Sequence, residues 1–257
     1  MTEATGLAFV DIELLTEHVF GVRLCRGPHN FFSFEMISAI ADALEKLDAD
    51  DSCRVVVLHA EGKNFCAGAD FSDSAPSYST ADLYAAAERL FRTRKPIIAV
   101  IQGAAVGGGL GLAMAADFRV VSPASRLSAN FSRLGFHHGF GLSVTLPRVI
   151  GEQRAAELLL TGRRLTGEIA LSIGLADRLV DDDSLMTQAL ILAEEIAAAA
   201  PLAVESIRAT LRGDIADRVR LATAHEMAEQ MRLRQTKDFT EGAKAMAERR
   251  TPHFKRS

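Results

Sequence analysis

The chain has 257 residues, and its 29 basic and 33 acidic side chains give a formal net charge of −4, which offers no support for nucleic acid as a main partner. Its content of 48% hydrophobic and 24% charged residues is ordinary for a soluble globular protein, and no apolar run approaches the length of a membrane span. We therefore expect no nucleic-acid and no membrane partner.

The cysteines and the first residues bear on location and metal content. Cys25, Cys53 and Cys66 are odd in number, widely spaced, and form no metal-ligand cluster. The opening MTEATGLAFVDIE lacks the basic region and hydrophobic segment of a secretory signal. These features predict a reduced, cytoplasmic protein without a metal site.

The first half of the chain alternates short apolar runs with helical patterns. Two strands are predicted within residues 7–26, joined around Thr16–Glu17, and Ser33 is predicted to cap a helix of about 15 residues. Further on we predict a buried strand over Arg54–Leu58, a helix over 81–92 and a buried strand over Pro96–Ile101.

The second half changes from strands to helices. Strands are predicted over Phe118–Ser122 and Arg126–Ala129, then an irregular loop between Phe131 and Gly141. Predicted helical segments follow: 142–150, 152–160, a helix then a strand within 165–180, and helices from Asp183 onward with Pro201 as a break or first-turn residue. Strand-strand-helix units followed by a helical tail indicate an α/β fold.

One stretch, Gln102–Asp117 (QGAAVGGGLGLAMAAD), places five glycines within nine residues between a buried strand and a predicted buried helix. Glycine lets a backbone adopt positive φ or approach a ligand closely, and three in succession are costly in chain entropy. Tight packing alone is one explanation. We favour a ligand or a developing negative charge at the exposed amides. No Lys-Ser/Thr pair follows, and the spacing does not fit a dinucleotide-binding turn.

Four segments in order resemble the crotonase superfamily of enoyl-CoA hydratases and isomerases: RVVVLHAEGKNFCAGAD (54–70), KPIIAVIQGAAVGGGLGLAMAADFRV (95–120), GEQRAAELLLTGRRLTGEIALSIGLADRLV (151–180) and DFTEGAKAMAERRTPHFK (238–255). The resemblance implies a spiral of repeated ββα units over residues 1–195. It also implies a C-terminal helical region over 196–257 for assembly as a homotrimer or a dimer of trimers. Coenzyme A would be part of the substrate, with no permanently bound cofactor.

The family's chemistry maps onto two backbone amides, which polarise a thioester carbonyl. By the resemblance these are the amides of Ala69 and Gly108. Preorganised donors of this kind stabilise a developing oxyanion. The resemblance also implies a set of substrate-binding residues: Pro28, His29, Ala67, Ala69, Phe71, Phe254 and Lys255. For Lys255, a solvated tail is an equal alternative.

The chain departs from the family where hydratases carry two catalytic glutamates, because Gly111 and Phe131 occupy those positions. Simple hydration is therefore in doubt, since water addition needs a positioned proton donor and acceptor. His137 and His138 in the loop FHHGFG are the candidate proton-handling residues, and surface or packing roles are the alternative. The phenylalanines of this loop, Phe131 among them, favour a bulky or apolar acyl pocket.

Three functions stay open at this point. The first is an enzyme that acts on an acyl-CoA thioester through an enolate or oxyanion. The second is a non-catalytic acyl-CoA binder, suggested by the missing glutamates. The third is a carbon–carbon bond hydrolase, although such members place a histidine where Phe131 stands.

Overall fold

The computed structural model describes residues 9–69 and 78–257. Phe71, one of the expected substrate-binding residues, lies outside these ranges. Nine strands are present in the described ranges: β1 (Val10–Thr16), β2 (Val19–Leu24), β3 (Val55–Ala60), β4 (Ile97–Ile101), β5 (Ala104–Val106), β6 (Phe118–Val121), β7 (Arg126–Ser128), β8 (Arg164–Thr166) and β9 (Arg178–Leu179).

The described ranges also contain two 3₁₀ helices, Asn130–Leu134 and Asp182–Ser184, and ten α-helices: α1 (Phe34–Asp48), α2 (Thr80–Phe91), α3 (Gly108–Ala113), α4 (Leu142–Ile150), α5 (Glu152–Thr161), α6 (Gly167–Ser172), α7 (Leu185–Ala197), α8 (Pro201–Arg212), α9 (Ile215–Leu233) and α10 (Lys237–Ala247). Two of their starts follow from local sequence. The Ser33 side chain accepts a hydrogen bond from the Met36 amide at the start of α1, and Pro201 is the first residue of α8. No helix in the described ranges is long and apolar enough to cross a membrane.

The strands form two sheets, which confirms the α/β class. The larger has the order β1-β2-β3-β4-β6-β9, with β1 antiparallel to β2 and the other pairs parallel. The smaller has the order β5-β7-β8. The strands β5 and β8 were not predicted, because each is held extended by pairing with β7, which is distant from it in the sequence.

The central strand β4 is buried on both faces, which explains its uninterrupted apolar sequence. Ile97, Ala99 and Ile101 belong to the main core, whereas Ile98 and Val100 pack in a second core together with apolar residues of α7. This two-sided packing anchors β4, whose end carries the glycine-rich turn. The division into regions 1–195 and 196–257 stays a prediction.

Candidate active site

Two loops are held side by side at the carboxyl ends of β3 and β4. The Cys66 amide donates to the Ala104 carbonyl at 2.9 Å, and the Val106 amide donates to the Cys66 carbonyl at 3.1 Å. On the other side, the Phe32 amide donates to the Gly68 carbonyl at 3.0 Å. The loop that ends at Ala69 is therefore fixed between β5 and the segment before α1.

Glycine permits this close approach of the two loops. A Cβ on Gly109 would overlap the Cys66 carbonyl, and one on Gly68 would lie 2.9 Å from the Val106 carbonyl oxygen. Gly107 has a φ of +58° and turns the chain from β5 into α3. The triple glycine thus serves close packing as well as exposing its amides.

Replacing Gly109 with alanine should lower the free energy of unfolding by about 1–3 kcal/mol, because the new Cβ meets backbone that cannot rotate away. Urea unfolding of the purified variant measures this. Gly27→Ala is the control, since its nearest neighbour would be the end of the Glu61 side chain at 3.4 Å. Equal stability of the two variants would contradict the close approach of the loops.

The amides of Ala69 and Gly108 face no acceptor among residues 9–69 and 78–257, although neighbouring amides are bonded. The Gly107 amide, for example, donates to the Ser128 carbonyl at 2.8 Å. Ala69 and Gly108 both line a cavity of about 770 Å³. A buried donor without a partner is costly, so these two N–H groups suit a ligand oxygen in the cavity.

Aromatic rings wall the cavity beside these amides. A Cβ on Gly108 would overlap the Phe32 ring, and Phe32 and Phe140 meet edge-on with ring centroids 6.3 Å apart. Phe131, Phe136 and Phe140 of the predicted aromatic loop all line the cavity. The space next to the amides is therefore largely apolar.

The positions expected for glutamates are filled rather than empty. A Cβ on Gly111 would lie 2.5 Å from the Phe140 Cβ and 2.7 Å from its Cγ, so the Phe140 ring takes the place of any side chain there. Phe140 has a φ of +62°, a conformation uncommon for a large side chain. Phe131 lies on the lining and contributes a ring where the second carboxylate would stand.

His137 and His138 lie outside the described lining of this cavity, so the structure does not place either as expected. Their rings stack on each other at 4.1 Å, and the His137 Nδ1 lies 2.8 Å from the His138 carbonyl oxygen. The His138 Nε2 is directed at Glu226, 3.7 Å from its Oε1. Glu226 in turn accepts hydrogen bonds from Gly141 and Ser143 at the start of α4. Through Glu226, these contacts pack the loop that carries the two histidines against α9.

His138 should make stability dependent on acid. Burial, and then the charges of His137 and His225, lower the pKa of His138 to about 4. The unfolded histidine titrates near 6.5, so the unfolded chain binds the proton first as the pH falls. The contribution of His138 to the free energy of unfolding should therefore be complete above pH 6.5 and decrease toward pH 4 by up to about 3 kcal/mol. Attraction between protonated His138 and Glu226 should make this decrease smaller.

Urea unfolding at several pH values compares the wild type with His138→Gln. The variant should lose part of the decrease between pH 6.5 and 4, whereas the exposed control His253→Gln should keep it. Parallel pH profiles for the wild type and His138→Gln would show that His138 is not responsible.

The residues expected at the coenzyme A end are only partly brought together. Ala67 lines the cavity, and its amide donates to the His29 carbonyl at 3.0 Å. Pro28 and His29 belong to the adjoining turn but not to the described lining. The His29 Nδ1 lies 2.9 Å from the Asn64 side-chain nitrogen.

Phe254 and Lys255 lie elsewhere within this chain. The tail folds back over the start of α10, where Asp238 accepts hydrogen bonds from the Lys255 and Arg256 amides at 2.7 and 2.8 Å. Lys255 lines a second cavity of about 490 Å³, and Phe254 is exposed. Their contact with coenzyme A across a subunit boundary stays a prediction.

Sequence reasoning missed a polar group on the cavity wall. The Tyr84 hydroxyl donates to the Gln230 Oε1 at 2.9 Å, and Arg234 lies one turn beyond Gln230. All three line the cavity. Tyr84 and Gln230 are 146 positions apart, and no local pattern in the sequence joins them. No group of three or more His, Cys, Asp or Glu side chains that could hold a metal occurs within the described residues.

Known proteins are similar to this chain over most of its length. The sequence model of the family described as enoyl-CoA hydratase/isomerase matches residues 15–257. A protein of Mycobacterium bovis named "Probable enoyl-CoA hydratase echA12" is 36% identical over 247 residues, covering 88% of this chain and 85% of its own.

Solved structures share the fold over nearly the whole chain. An enoyl-CoA hydratase/isomerase from Pseudoalteromonas atlantica superposes with a TM-score of 0.87 at 30% identity, over 96% of this chain and 100% of its own. An enoyl-CoA hydratase from Mycobacterium avium subsp. paratuberculosis has a TM-score of 0.84 at 26% identity, over 97% and 100%. The crotonase-like fold expected from the sequence is confirmed.

Proposed function

Because this chain belongs to the enoyl-CoA hydratase/isomerase family, we propose that it binds an acyl-CoA thioester and stabilises an enolate or oxyanion with the amides of Ala69 and Gly108. The observation that carries this proposal is the pair of amides without a described acceptor on the lining of one cavity. Each such donor contributes about 3–4 kcal/mol to transition-state stabilisation in a dry site.

The proposed reaction differs from simple hydration. Gly111 and Phe131 supply no carboxylate, and Phe140 fills the space beside Gly111. On the described lining, burial raises the pKa of Tyr84, so its phenol stays protonated at neutral pH and cannot remove a proton from the substrate. A lyase reaction such as decarboxylation, which forms the enolate by loss of CO₂ and needs no protein base, fits these groups best.

Isotope-edited infrared spectroscopy of [1-¹³C]crotonyl-CoA tests the proposed carbonyl site. Two donors on the thioester oxygen should lower the carbonyl stretching frequency in the complex relative to free ligand. A mass-spectrometric screen of saturated, unsaturated and carboxylated acyl-CoAs then identifies the reaction. Binding with an unshifted carbonyl band would overturn the assignment of the amides.

Acyl-CoA binding without turnover is the second candidate function. The aromatic rings at both glutamate positions favour it, since they remove the groups that hydratases use. Calorimetric binding of acyl-CoAs, combined with no chemical change in any of them over long incubation, would support a binding function over the proposed enzyme activity.

We also propose self-association as a trimer or a dimer of trimers. The C-terminal helices leave large apolar side chains exposed in the single chain: Ile191, Leu202, Ile207, Leu211 and Leu221. They lie on three successive helices, α7, α8 and α9, and large exposed apolar patches are typical of an interface. Light scattering after size-exclusion chromatography measures the mass, and a monomer would contradict the proposal.

A further inference from the structure

The end of α9 forms a polar part of the cavity wall. Gln230 is buried, accepts from the Tyr84 hydroxyl at 2.9 Å and donates to the His137 carbonyl at 3.0 Å. These bonds occupy the polar atoms of Tyr84 and Gln230 with protein partners. They hold the wall rigid but leave it little capacity to bind a charged ligand group.

Arg234 differs from its neighbours. Its guanidinium carbon lies 5.1 Å from the Phe136 ring centroid. The ring centroids of Phe136 and Phe239 are 5.0 Å apart. Within residues 9–69 and 78–257 its side chain has no hydrogen bond and no carboxylate partner, whereas Arg232 pairs with Glu229 at 2.6 Å. Arg234 is therefore a solvent-exposed cation at the edge of this wall, without a counter-charge in the described ranges.

The surrounding groups define what this cation can meet. Apolar side chains, including Leu83, Leu134 and Phe140, line the same cavity as Gly108 and Arg234. The charge of Arg234 also acts to lower the pKa of both Tyr78 and Tyr84, although burial raises each overall, so the cation lies close to the phenols. An acyl chain with its thioester at the amides would share this lining with the guanidinium of Arg234, and also with the charged side chains of Arg26, Glu35 and Arg164.

We infer that the preferred acyl group carries a carboxylate at the end remote from the thioester, bound by Arg234. The inference rests on the proposed acyl-CoA function. A guanidinium and a carboxylate form charge-assisted hydrogen bonds, and planar Arg can make two at once. Arg234 also lies just after the C-terminus of α9, where a cation complements the helix dipole. The experiment below distinguishes this role from carboxylate binding.

Calorimetry compares glutaryl-CoA and adipyl-CoA with hexanoyl-CoA on the wild type, Arg234→Gln and Arg234→Lys. The coenzyme A portion is common to all three ligands, so its phosphates cancel in the comparison. The wild type should bind the carboxylated ligands about 10-fold or more tightly than hexanoyl-CoA. Arg234→Gln should abolish that preference, and Arg234→Lys should keep part of it.

Arg232→Gln is the matched control, because Arg232 lies on α9, pairs with Glu229 and is outside the described lining. This variant should keep the wild-type preference for carboxylated ligands. Equal binding of hexanoyl-CoA and the carboxylated ligands by the wild type would overturn the inference alone. So would a preference that survives in Arg234→Gln. Failure of every acyl-CoA to bind would overturn the proposed function, and the inference with it.

Discussion

Replacing Ala69 with proline should lower turnover of the acyl-CoA substrate about 100- to 1,000-fold while leaving the affinity for free coenzyme A nearly unchanged. Proline lacks the N–H that we assign to the oxyanion. The substitution breaks no described hydrogen bond of that amide, and the bond from the Phe32 amide to the Gly68 carbonyl can persist. The loss should therefore appear in the chemical step rather than in folding.

Ala69→Ser is the matched control, since serine keeps the backbone N–H and, like proline, has a larger side chain than alanine. Thermal unfolding should show both variants folded, and the ¹³C carbonyl band of bound crotonyl-CoA should return toward its free frequency only in Ala69→Pro. Full turnover and an unchanged band in the proline variant would show that another group holds the oxygen.

The triple variant Gly111→Glu/Phe131→Glu/Phe140→Gly should hydrate crotonyl-CoA at least about 100-fold faster than the wild type, which should hydrate it negligibly. The two glutamates restore the acid and base that the family uses. Phe140 must be removed because its Cβ lies 2.5 Å from a Cβ at position 111, and glycine accepts the φ of +62° at position 140.

Two comparisons isolate the cause. The same triple variant with glutamines at positions 111 and 131 keeps the shape without the carboxylates and should stay inactive. The double variant that retains Phe140 should be unstable or inactive, because a new side chain meets the ring. A folded triple variant that binds crotonyl-CoA without hydrating it would show that the assignment of these positions is wrong.

Local sequence predicted most elements because their causes are local. The Ser33 cap, the apolar run of β4 and Pro201 at the start of α8 each act within a few residues. The strand β5 was missed because its three residues are extended only by pairing with β7 and Cys66. Its presence fixes the spacing between the two loops that carry the amides.

The sequence by itself determined the fold family, and its resemblance to that family predicted the two amides, because the family motifs are contiguous in the chain. Tertiary structure alone decided which side chains face the cavity. It left His137 and His138 off the described lining of the cavity, set Phe140 against Gly111 and joined Tyr84 to Gln230. The physical reason is that a side chain's direction depends on distant packing partners, which no short stretch of sequence contains.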